Sequence, residues 1–439
     1  MAVFIGYDVD VSFFDLGGLF MLIEFSVTNY KSIHKRQTLS MVAAPKLRKK
    51  NNTFQPSIEG EKNFPALLKV AAIYGPNASG KSTLLDALNV FYNISLREPS
   101  AQSSQLPVQP FRFCTEAMQK PSEFEIHFFT DGKRYSLYLS ATPDRIHEEK
   151  LITYIKGEEV QLYSRMYKND VDVFTFGKGL GGDDGLHQIW AGLTGPRILF
   201  ISQVVANSSN RISNLDAPFL WLSKGLTVWD NSHFSGLALR SQKLAKNHEQ
   251  LSNELSSFLS DVDVPISHIT FDDAKNDDLS ENYNRLDQIA TNNNSNFKTK
   301  FVHKTSFGSA DFLYNEESKG TQALIGFWLP LSVSLSKNTT STVLVVDELD
   351  SSLHSLIVAK IIKKIIASEH PIQLIFTTHD THLMDAKILR RDQFWLTERD
   401  MTGATQLRCI YDFEGRESED IEKRYYEGRY RSLPLVRGE

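Results

Sequence analysis

Residues 70–91 read VAAIYGPNASGKSTLLDALNVF. The first five residues form an uninterrupted apolar run, which is typical of a buried strand of a parallel sheet. A glycine-containing loop, residues 75–82, follows, and the apolar positions after it predict a helix from about Lys81 to Phe91. Strand, loop and helix in this order place backbone N–H groups at a helix N-terminus, where they bind phosphate. The stretch therefore predicts an α/β fold with a phosphate-binding loop.

The side chains of this loop predict which phosphate compound it binds. Lys81 would reach the β- and γ-phosphates, and the hydroxyl of Ser82 would ligate Mg²⁺. We therefore expect ATP and Mg²⁺ as ligands. The expected ATP-binding residues of the loop are Gly75, Pro76, Asn77, Ala78, Ser79, Gly80, Lys81, Ser82 and Thr83. The alternative, a chance glycine-rich turn, is disfavoured by the strand and helix on either side.

A second motif, which contains two acidic residues, follows another apolar run. Residues 343–348 read VLVVDE, so Asp347 would lie at the carboxyl end of a buried parallel strand, beside the phosphate-binding loop. There it would hold Mg²⁺ through the water shell of the ion, and Glu348 would act as the general base on the attacking water. A buried strand that ends in acidic residues is common by itself. Together with the phosphate-binding loop, however, the motif indicates a nucleotide site.

Composition excludes several classes of protein. The chain has 439 residues, a net charge of −5 and two cysteines, Cys114 and Cys409, without disulfide or metal-ligand spacing. These features indicate a cytoplasmic protein in a reducing compartment. No apolar stretch is long enough to cross a membrane. The basic run Lys46–Lys50 is interpreted as a solvated loop rather than as a nucleic-acid site.

The remaining patterns predict how the chain is organised. Residues 1–20 contain three Asp and neither Lys nor Arg, so they are interpreted as a disordered or peripheral extension rather than a secretory signal; Met21 is a candidate initiator. Residues 21–205 would form the N-terminal part of an ATPase core with an antiparallel β ribbon, residues 206–310 an inserted helical lobe, and residues 311–439 the C-terminal part of the core. Leu237, Leu244 and Leu251 recur at helical spacing in the lobe.

The run after the second motif carries a family resemblance. Residues 347–354 read DELDSSLH, which resembles the DE-x-D-x-x-L-H run of ABC ATPases of the SMC, RecF and OLD branch. The resemblance implies a P-loop NTPase of ABC type, with a mixed sheet, an antiparallel β subdomain and an inserted helical lobe. It also implies that Asp350 is the D-loop residue that communicates across a dimer. From the residues alone, Asp350 and Ser351 would be a helix N-cap, and both readings can hold together.

The resemblance extends to further motifs. His379 in FTTHD is similar to the switch histidine that contacts the γ-phosphate, and NEESKGTQ is similar to the signature motif. The signature would use Ser318, Lys319 and Gly320 to grip the γ-phosphate held by the opposite subunit, although Lys319 stands where transporters have Gly; a plain N-cap is the alternative for Ser318. The turn NYKS resembles the N-F-[KR]-S turn of this branch, which implies nucleotide contacts by Asn29 and Lys31.

The glutamine that senses Mg²⁺ in this family has two candidates. Gln203, in the apolar run ILFISQVV, is preferred, and Gln109, in PVQPFRF, is the alternative. An ordinary polar loop residue is an equally good interpretation of either one.

The composite site implies a homodimer or a larger even assembly, with ATP sandwiched between two copies. Over residues 21–436 the chain resembles RloA-type abortive-infection ATPases, relatives of the ATPase subunit of the PARIS anti-phage system. The resembling segments are LIEFSVTNYKSI, SEFEIHFFTDGKRYSL and YYEGRYRSLPLV. This resemblance implies the ATP-driven scaffold of a defence complex that works with a separately encoded, nuclease-like effector and a phage trigger protein.

Other classes of ATPase are alternatives to this interpretation. A transporter ATPase is disfavoured because no membrane segment is present, and an SMC protein because no long coiled coil separates the motifs. A RecF-like or SMC-like DNA-repair ATPase is the main alternative, and nucleic-acid binding stays open. Nuclease activity in the same chain is disfavoured, since the segment after His379 is short and its acidic residues are expected on a solvated helix. An ATP-gated scaffold without turnover would not need Glu348.

Overall fold

The computed structural model describes residues 19–99, 104–208, 213–229, 233–273, 297–336, 342–417, 419–430 and 432–433. Nearly all of the predicted N-terminal extension lies outside these described residues, as does the Asn-rich stretch 291–296, whose lack of periodicity predicts a loop. The chain divides into two compact units. The first contains the residues up to Val228, Lys337–Asp347 and Ile362–Glu439; the second contains Trp229–Ser336 and Glu348–Ile361. This division differs from the predicted boundaries at 206 and 311.

A seven-stranded antiparallel sheet forms one layer of the first unit, in the order β10-β9-β8-β7-β6-β1-β2. Its strands are β1 Met21–Thr28, β2 Gln37–Ser40, β6 Ser122–Thr130, β7 Lys133–Ala141, β8 Ile146–Ile155, β9 Glu158–Lys168 and β10 Val171–Phe176. The turn Asp131-Gly132 joins β6 to β7, with φ values of 49° and 72°. Both values are positive, as a tight two-residue hairpin turn requires, so the predicted ribbon is confirmed.

A six-stranded sheet forms the second layer, in the order β11-β15-β16-β5-β17-β18. Its strands are β5 Val70–Tyr74, β11 Leu226–Trp229, β15 Val343–Val346, β16 Gln373–Thr377, β17 Phe394–Arg399 and β18 Thr405–Cys409. β15, β16, β5 and β17 are parallel, and every residue of the first three is buried. The carboxyl ends of these neighbouring strands therefore meet at one edge of the sheet. A short ribbon of β3 Thr53–Phe54 and β4 Leu67–Leu68 is separate.

The helices of the first unit alternate with its strands along the chain. They are α1 Lys81–Ser95, α2 Thr115–Met118, α3 Asp184–Leu193, α4 Phe200–Asn207, α5 Ser213–Leu220, the second half of α9 Ser355–Ala367, and α10 Ile421–Tyr426. Helix α1 shares one apolar core with the seven-stranded sheet, where the ring of Phe91 lies 6.3 Å from Phe25 and 6.4 Å from Phe124. Burying each such ring contributes about 1.5–3 kcal/mol. This core fixes α1 behind the phosphate-binding loop.

The second unit combines three helices with a small sheet. The helices are α6 Phe234–Asn247, α7 Glu249–Asp261 and α8 Lys319–Leu335, and the antiparallel strands are β12 Ile266–Asp273, β13 Phe297–Thr305 and β14 Gly308–Leu313. α8 passes close to the start of α6, since a Cβ on Gly326 would lie 2.5 Å from the carbonyl oxygen of Phe234. Glycine permits this approach because it has no side chain.

The region from about 211 to 262, whose pattern predicts helices, also contains a strand. Leu226–Trp229 forms β11 at the edge of the six-stranded sheet, because its sequence LTVW combines a β-branched pair with an aromatic residue. The helical pattern is also divided at His248, between α6 and α7. No helix among the described residues has the length and apolar character to cross a membrane.

Candidate nucleotide site

The phosphate-binding loop joins β5 to α1, as the sequence predicts. Its backbone is left-handed at three positions: φ is 155° at Gly75, 61° at Ala78 and 104° at Gly80, the N-cap residue of α1. Two of these positions are glycines, which adopt positive φ without a steric cost. The loop therefore turns sharply enough to direct N–H groups toward a bound phosphate.

Lys81 lies inside this loop. Its side chain is buried, and its ammonium group donates to the carbonyl oxygens of Gly75, at 2.7 Å, and Pro76, at 3.1 Å. Burying an ammonium group is costly unless it is paired. The neighbouring Ser82 is exposed at the N-terminus of α1, where a helix dipole favours an anion. Both side chains are thus placed to meet a phosphate group.

Two threonines from the last strands of the sheet hold the loop. The hydroxyls of Ser79 and Thr397 lie 2.5 Å apart, and Thr397 also donates to the carbonyl oxygen of Tyr74. Thr405 donates to the carbonyl oxygen of Ser79 at 3.0 Å. Sequence reasoning missed Thr397 and Thr405, because more than 300 residues separate them from the loop and neither belongs to a motif.

Replacing Gly80 with Ala is expected to damage this arrangement. A Cβ there would lie 2.0 Å from the hydroxyl oxygen of Thr405, and φ is 104°. We expect destabilisation of about 1–3 kcal/mol from the overpacking and a weaker affinity for ATP, measured by thermal melting and by titration. Gly132→Ala is the matched control, because φ is 72° and nothing lies within 4 Å of its Cβ position. Equal ATP affinity of the two variants would contradict the role of the contact.

Asn29 has a structural role in the turn that resembles the family motif. Its side-chain amide donates to the carbonyl oxygens of Ala117, Lys120 and Pro121, and its amide oxygen accepts from the backbone N–H of Phe111. These bonds occupy the whole buried side chain. The side chain of Asn29 therefore holds the 111–121 segment, and its contact with ATP stays a prediction.

Lys31 is held beside α1. Its ammonium group pairs with the carboxylate of Asp86, which also accepts from the hydroxyl of Tyr30 at 2.5 Å. Burial, and then the contact with Asp86, raise the pKa of Tyr30 well above its usual value. The next residue, Ser32, donates to the Thr83 hydroxyl at 3.1 Å. The turn is therefore fixed to the first turns of α1, near the predicted phosphate site.

Asp347 and the segment of His379 come together at the carboxyl edge of the sheet. Thr377 donates to a carboxylate oxygen of Asp347 at 2.5 Å, and the buried Thr378 donates its N–H to the carbonyl oxygen of Ile73 on β5. His379 follows and is exposed. The edge of β5, β15 and β16 thus carries the phosphate-binding loop, a fixed carboxylate and an imidazole.

The residues that follow Asp347 belong to the second unit. Glu348 has a φ of 53°, which is uncommon for a residue with a side chain. The turn continues with a bond from the Leu353 N–H to the carbonyl oxygen of Asp350 at 3.1 Å. The predicted N-cap at Asp350 and Ser351 is wrong by about one turn. His354 caps α9 instead, since its ring nitrogen Nδ1 accepts from the N–H of Leu356.

The signature segment begins α8 in the second unit. Ser318 is exposed and is the N-cap residue, and its hydroxyl accepts from the N–H of Thr321 at 3.1 Å. A Cβ on Gly320 would lie 2.7 Å from the carbonyl oxygen of Ser352, so only glycine fits there. Lys319 is exposed. The N-cap interpretation of Ser318 is confirmed, and the exposed N-terminus leaves room for a ligand.

A pair missed by sequence reasoning precedes the signature. The ring nitrogen Nε2 of His303 lies 2.6 Å from a carboxylate oxygen of Glu317, which is buried. Gln322 donates to the carbonyl oxygen of Glu317. These contacts fix the residue directly before Ser318 to strand β13.

The structure places Gln203 away from the phosphate-binding loop. It lies on α4, and the neighbouring Ser202 donates to the carbonyl oxygen of Ser95 at the last residue of α1. Helix α1 has 15 residues, so this end is roughly 20 Å from Ser82. The preferred position for the Mg²⁺-sensing glutamine is therefore corrected. The alternative, Gln109, is exposed and accepts from the N–H of Lys31 at 2.8 Å, on the loop side of α1.

The fold and the site together define a P-loop NTPase. The chain belongs to the family described as AAA domain, putative AbiEii toxin, Type IV TA system, whose model matches residues 70–385. The matched span begins at the first residue of β5 and ends just after the segment of His379. No curated protein matches the sequence.

Several solved structures are distantly similar to this chain. One is the SMC head domain from Thermotoga maritima, with 14% identity, a TM-score of 0.37, and coverage of 88% of this chain and 98% of the other. An SMC head bound to the C-winged helix domain of ScpA has 12% identity, a TM-score of 0.40, and coverage of 88% and 96%. An SMC head with an extended coiled coil, bound to the C-terminal domain of ScpA derived from Pyrococcus furiosus, has 12% identity, a TM-score of 0.38, and coverage of 89% and 96%.

Proposed function

We propose that this protein binds ATP with Mg²⁺ and hydrolyses the bond between its β- and γ-phosphates. The observation that carries the proposal is the buried Lys81, which is folded into a left-handed glycine loop at the N-terminus of α1. Its two carbonyl partners can be exchanged for phosphate oxygens, which make stronger, charge-assisted bonds with an ammonium group. A purely structural lysine would not require the strained backbone around it.

The residues present fit a magnesium ion. The hydroxyl of Ser82 and the carboxylate of Asp347 are hard oxygen ligands, and Thr377 fixes the carboxylate. When bound, the ion would offset the negative charge of the phosphates. Ser82 and Asp347 would hold it, Lys81 would bind the phosphates, Glu348 would accept the proton of the attacking water, and His379 would contact the γ-phosphate.

We infer that each site is completed by a second copy of the chain. Ser318 and Lys319 are exposed at the N-terminus of α8, a helix of 17 residues whose dipole favours an anion. The serine hydroxyl and the N–H groups of this turn are suited to the γ-phosphate bound by another protomer. ATP would then join two protomers in a symmetric dimer, or a larger even assembly, and Asp350 would lie at that contact.

Mixing two inactive variants tests the composite site. Lys81→Ala removes the phosphate-binding ammonium group, and Ser318→Arg blocks the signature turn. We expect each variant alone to lose hydrolysis. An equal mixture should recover about a quarter of wild-type activity, because half of the dimers are mixed and each contains one intact site. An inactive mixture that still forms mixed dimers, observed by native mass spectrometry, would contradict the composite site.

For the cellular role, we propose an ATP-driven scaffold in an anti-phage complex in the bacterial cytoplasm. The description of the family, which names a toxin of a toxin–antitoxin system, supports this role, as does the similarity to RloA-type ATPases noted above. A separately encoded nuclease-like effector would be the partner and a phage protein the trigger. Phage plating on cells that carry the gene with its neighbours tests the role, with Lys81→Ala as control. If phage plated equally on cells with the wild-type gene and with Lys81→Ala, and a deletion strain were sensitive to DNA damage, the DNA-repair alternative would be favoured.

A further inference from the structure

The C-terminal helix α10 contacts the segment that carries His379. The hydroxyl of Thr381 donates to a carboxylate oxygen of Glu422 at 3.1 Å and lies 2.8 Å from the hydroxyl of Tyr426. The ring nitrogen Nδ1 of His382 lies 3.1 Å from the same oxygen of Glu422. The residues at two and three positions after His379 are therefore both attached to α10.

The segment between these contacts has an ordered backbone. The N–H of Asp380 donates to the hydroxyl of Thr378, and the carboxylate of Asp380 accepts from the N–H of His382. Thr378 is buried and bonded to β5, so the segment is fixed at its start by the sheet and at Thr381 and His382 by α10. His379, exposed between these two attachments, has a restricted backbone.

Helix α10 is itself anchored, although the sequence suggests a solvated tail. Ile421 and Tyr425, four residues apart on one face, are buried, and the hydroxyl of Tyr425 donates to the carbonyl oxygen of Ser432. Glu422 and Tyr426, also four residues apart, form the adjacent face that reaches Thr381.

A buried arginine holds the chain that leads to α10. The guanidinium of Arg391 donates to the carbonyl oxygens of Ile410 and Phe413 and of Arg416. Arg391 lies three residues before β17, so the tail is tied to the six-stranded sheet. A displacement of α10 would therefore be transmitted to the segment of His379, rather than absorbed by a loose tail.

We propose that Glu422 and Tyr426 are positioning residues that hold His379 for hydrolysis, so that the C-terminal helix sets the turnover rate without touching the nucleotide. This inference rests on the proposed ATPase activity. Glu422 and Tyr426 bond to the segment after β16, whereas Lys81 and its loop are held by other residues. Loss of the contacts should therefore lower kcat and leave the affinity for ATP unchanged.

The test compares Glu422→Ala with Glu427→Ala, a substitution of an exposed residue at the end of the same helix that removes the same charge. We expect Glu422→Ala to lower kcat about tenfold at unchanged KM, since loss of alignment slows a reaction by one to two orders of magnitude. Glu422→Gln, which keeps an acceptor for Thr381, should recover most of the rate, and Tyr426→Phe should give a smaller decrease. Glu427→Ala should match the wild type.

Two further measurements separate positioning from folding. On a His379→Ala background, Glu422→Ala should cause no additional loss of rate, because it acts through His379. Hydrogen exchange of residues 378–383 should accelerate in Glu422→Ala while the melting temperature stays the same. An active wild type with unchanged kcat and exchange in Glu422→Ala would overturn the inference alone. A wild type that hydrolyses no ATP would overturn the proposed function and this inference with it.

Discussion

Glu348→Gln is expected to abolish steady-state phosphate release while ATP still binds. Gln has the same shape as Glu but cannot accept a proton at neutral pH, and loss of a general base slows a reaction by about 100-fold or more. Glu348 has a φ of 53° in a turn that closes through a bond from the Ser351 N–H to its carbonyl oxygen. Strained residues of this kind cluster at functional sites. Phosphate release and the Kd for ATP are the two measurements.

The control for this variant is Glu254→Gln, which changes an exposed glutamate on α7 in the second unit. It should have wild-type turnover. Equal phosphate release from Glu348→Gln and the wild type would refute the assignment of Glu348 as the base. A protein that binds ATP tightly but releases no phosphate even as wild type would instead be an ATP-gated scaffold.

Lys81→Ala is expected to weaken ATP binding about 100-fold, because a charge-assisted bond to phosphate contributes roughly 1.5–3 kcal/mol and Lys81 makes more than one. The side chain is buried, so the loss also leaves the carbonyl oxygens of Gly75 and Pro76 without their lysine donor. Isothermal titration with ATP measures the effect. Lys62→Ala, at an exposed lysine of the first unit, removes the same charge and should bind ATP normally. An unchanged Kd in Lys81→Ala would mean that the loop does not bind phosphate.

Local chemistry explains what could be predicted from the sequence. The loop at 75–82, the hairpin turn at Asp131 and the strand before Asp347 each depend on neighbouring residues, whose spacing is visible in the chain. Glycines mark positions of positive φ, and alternating apolar residues mark the buried face of a strand. For the same reason, the helical start at Ser318 was predictable from its own short segment.

Long-range contacts explain which features could not be predicted from the sequence. The bonds of Thr397 and Thr405 to the phosphate-binding loop, and of Glu422 to Thr381, join residues whose proximity depends on the order of the strands. The order of the strands in a sheet cannot be predicted from a single sequence. Gln203 was placed near the nucleotide because it follows an apolar run, but the run is a helix at the far end of α1. Likewise, the side chain of Asn29 is occupied by a segment about 90 residues away.

The support of the phosphate-binding loop by Thr397 and Thr405 has a consequence for biosynthesis. A ribosome produces the loop about 300 residues before β17 and β18. A nascent chain that stops before Thr397 contains every glycine of the loop and neither of its two threonine supports. Stabilisation of the loop by these two residues is therefore available only after β17 and β18 have been synthesised.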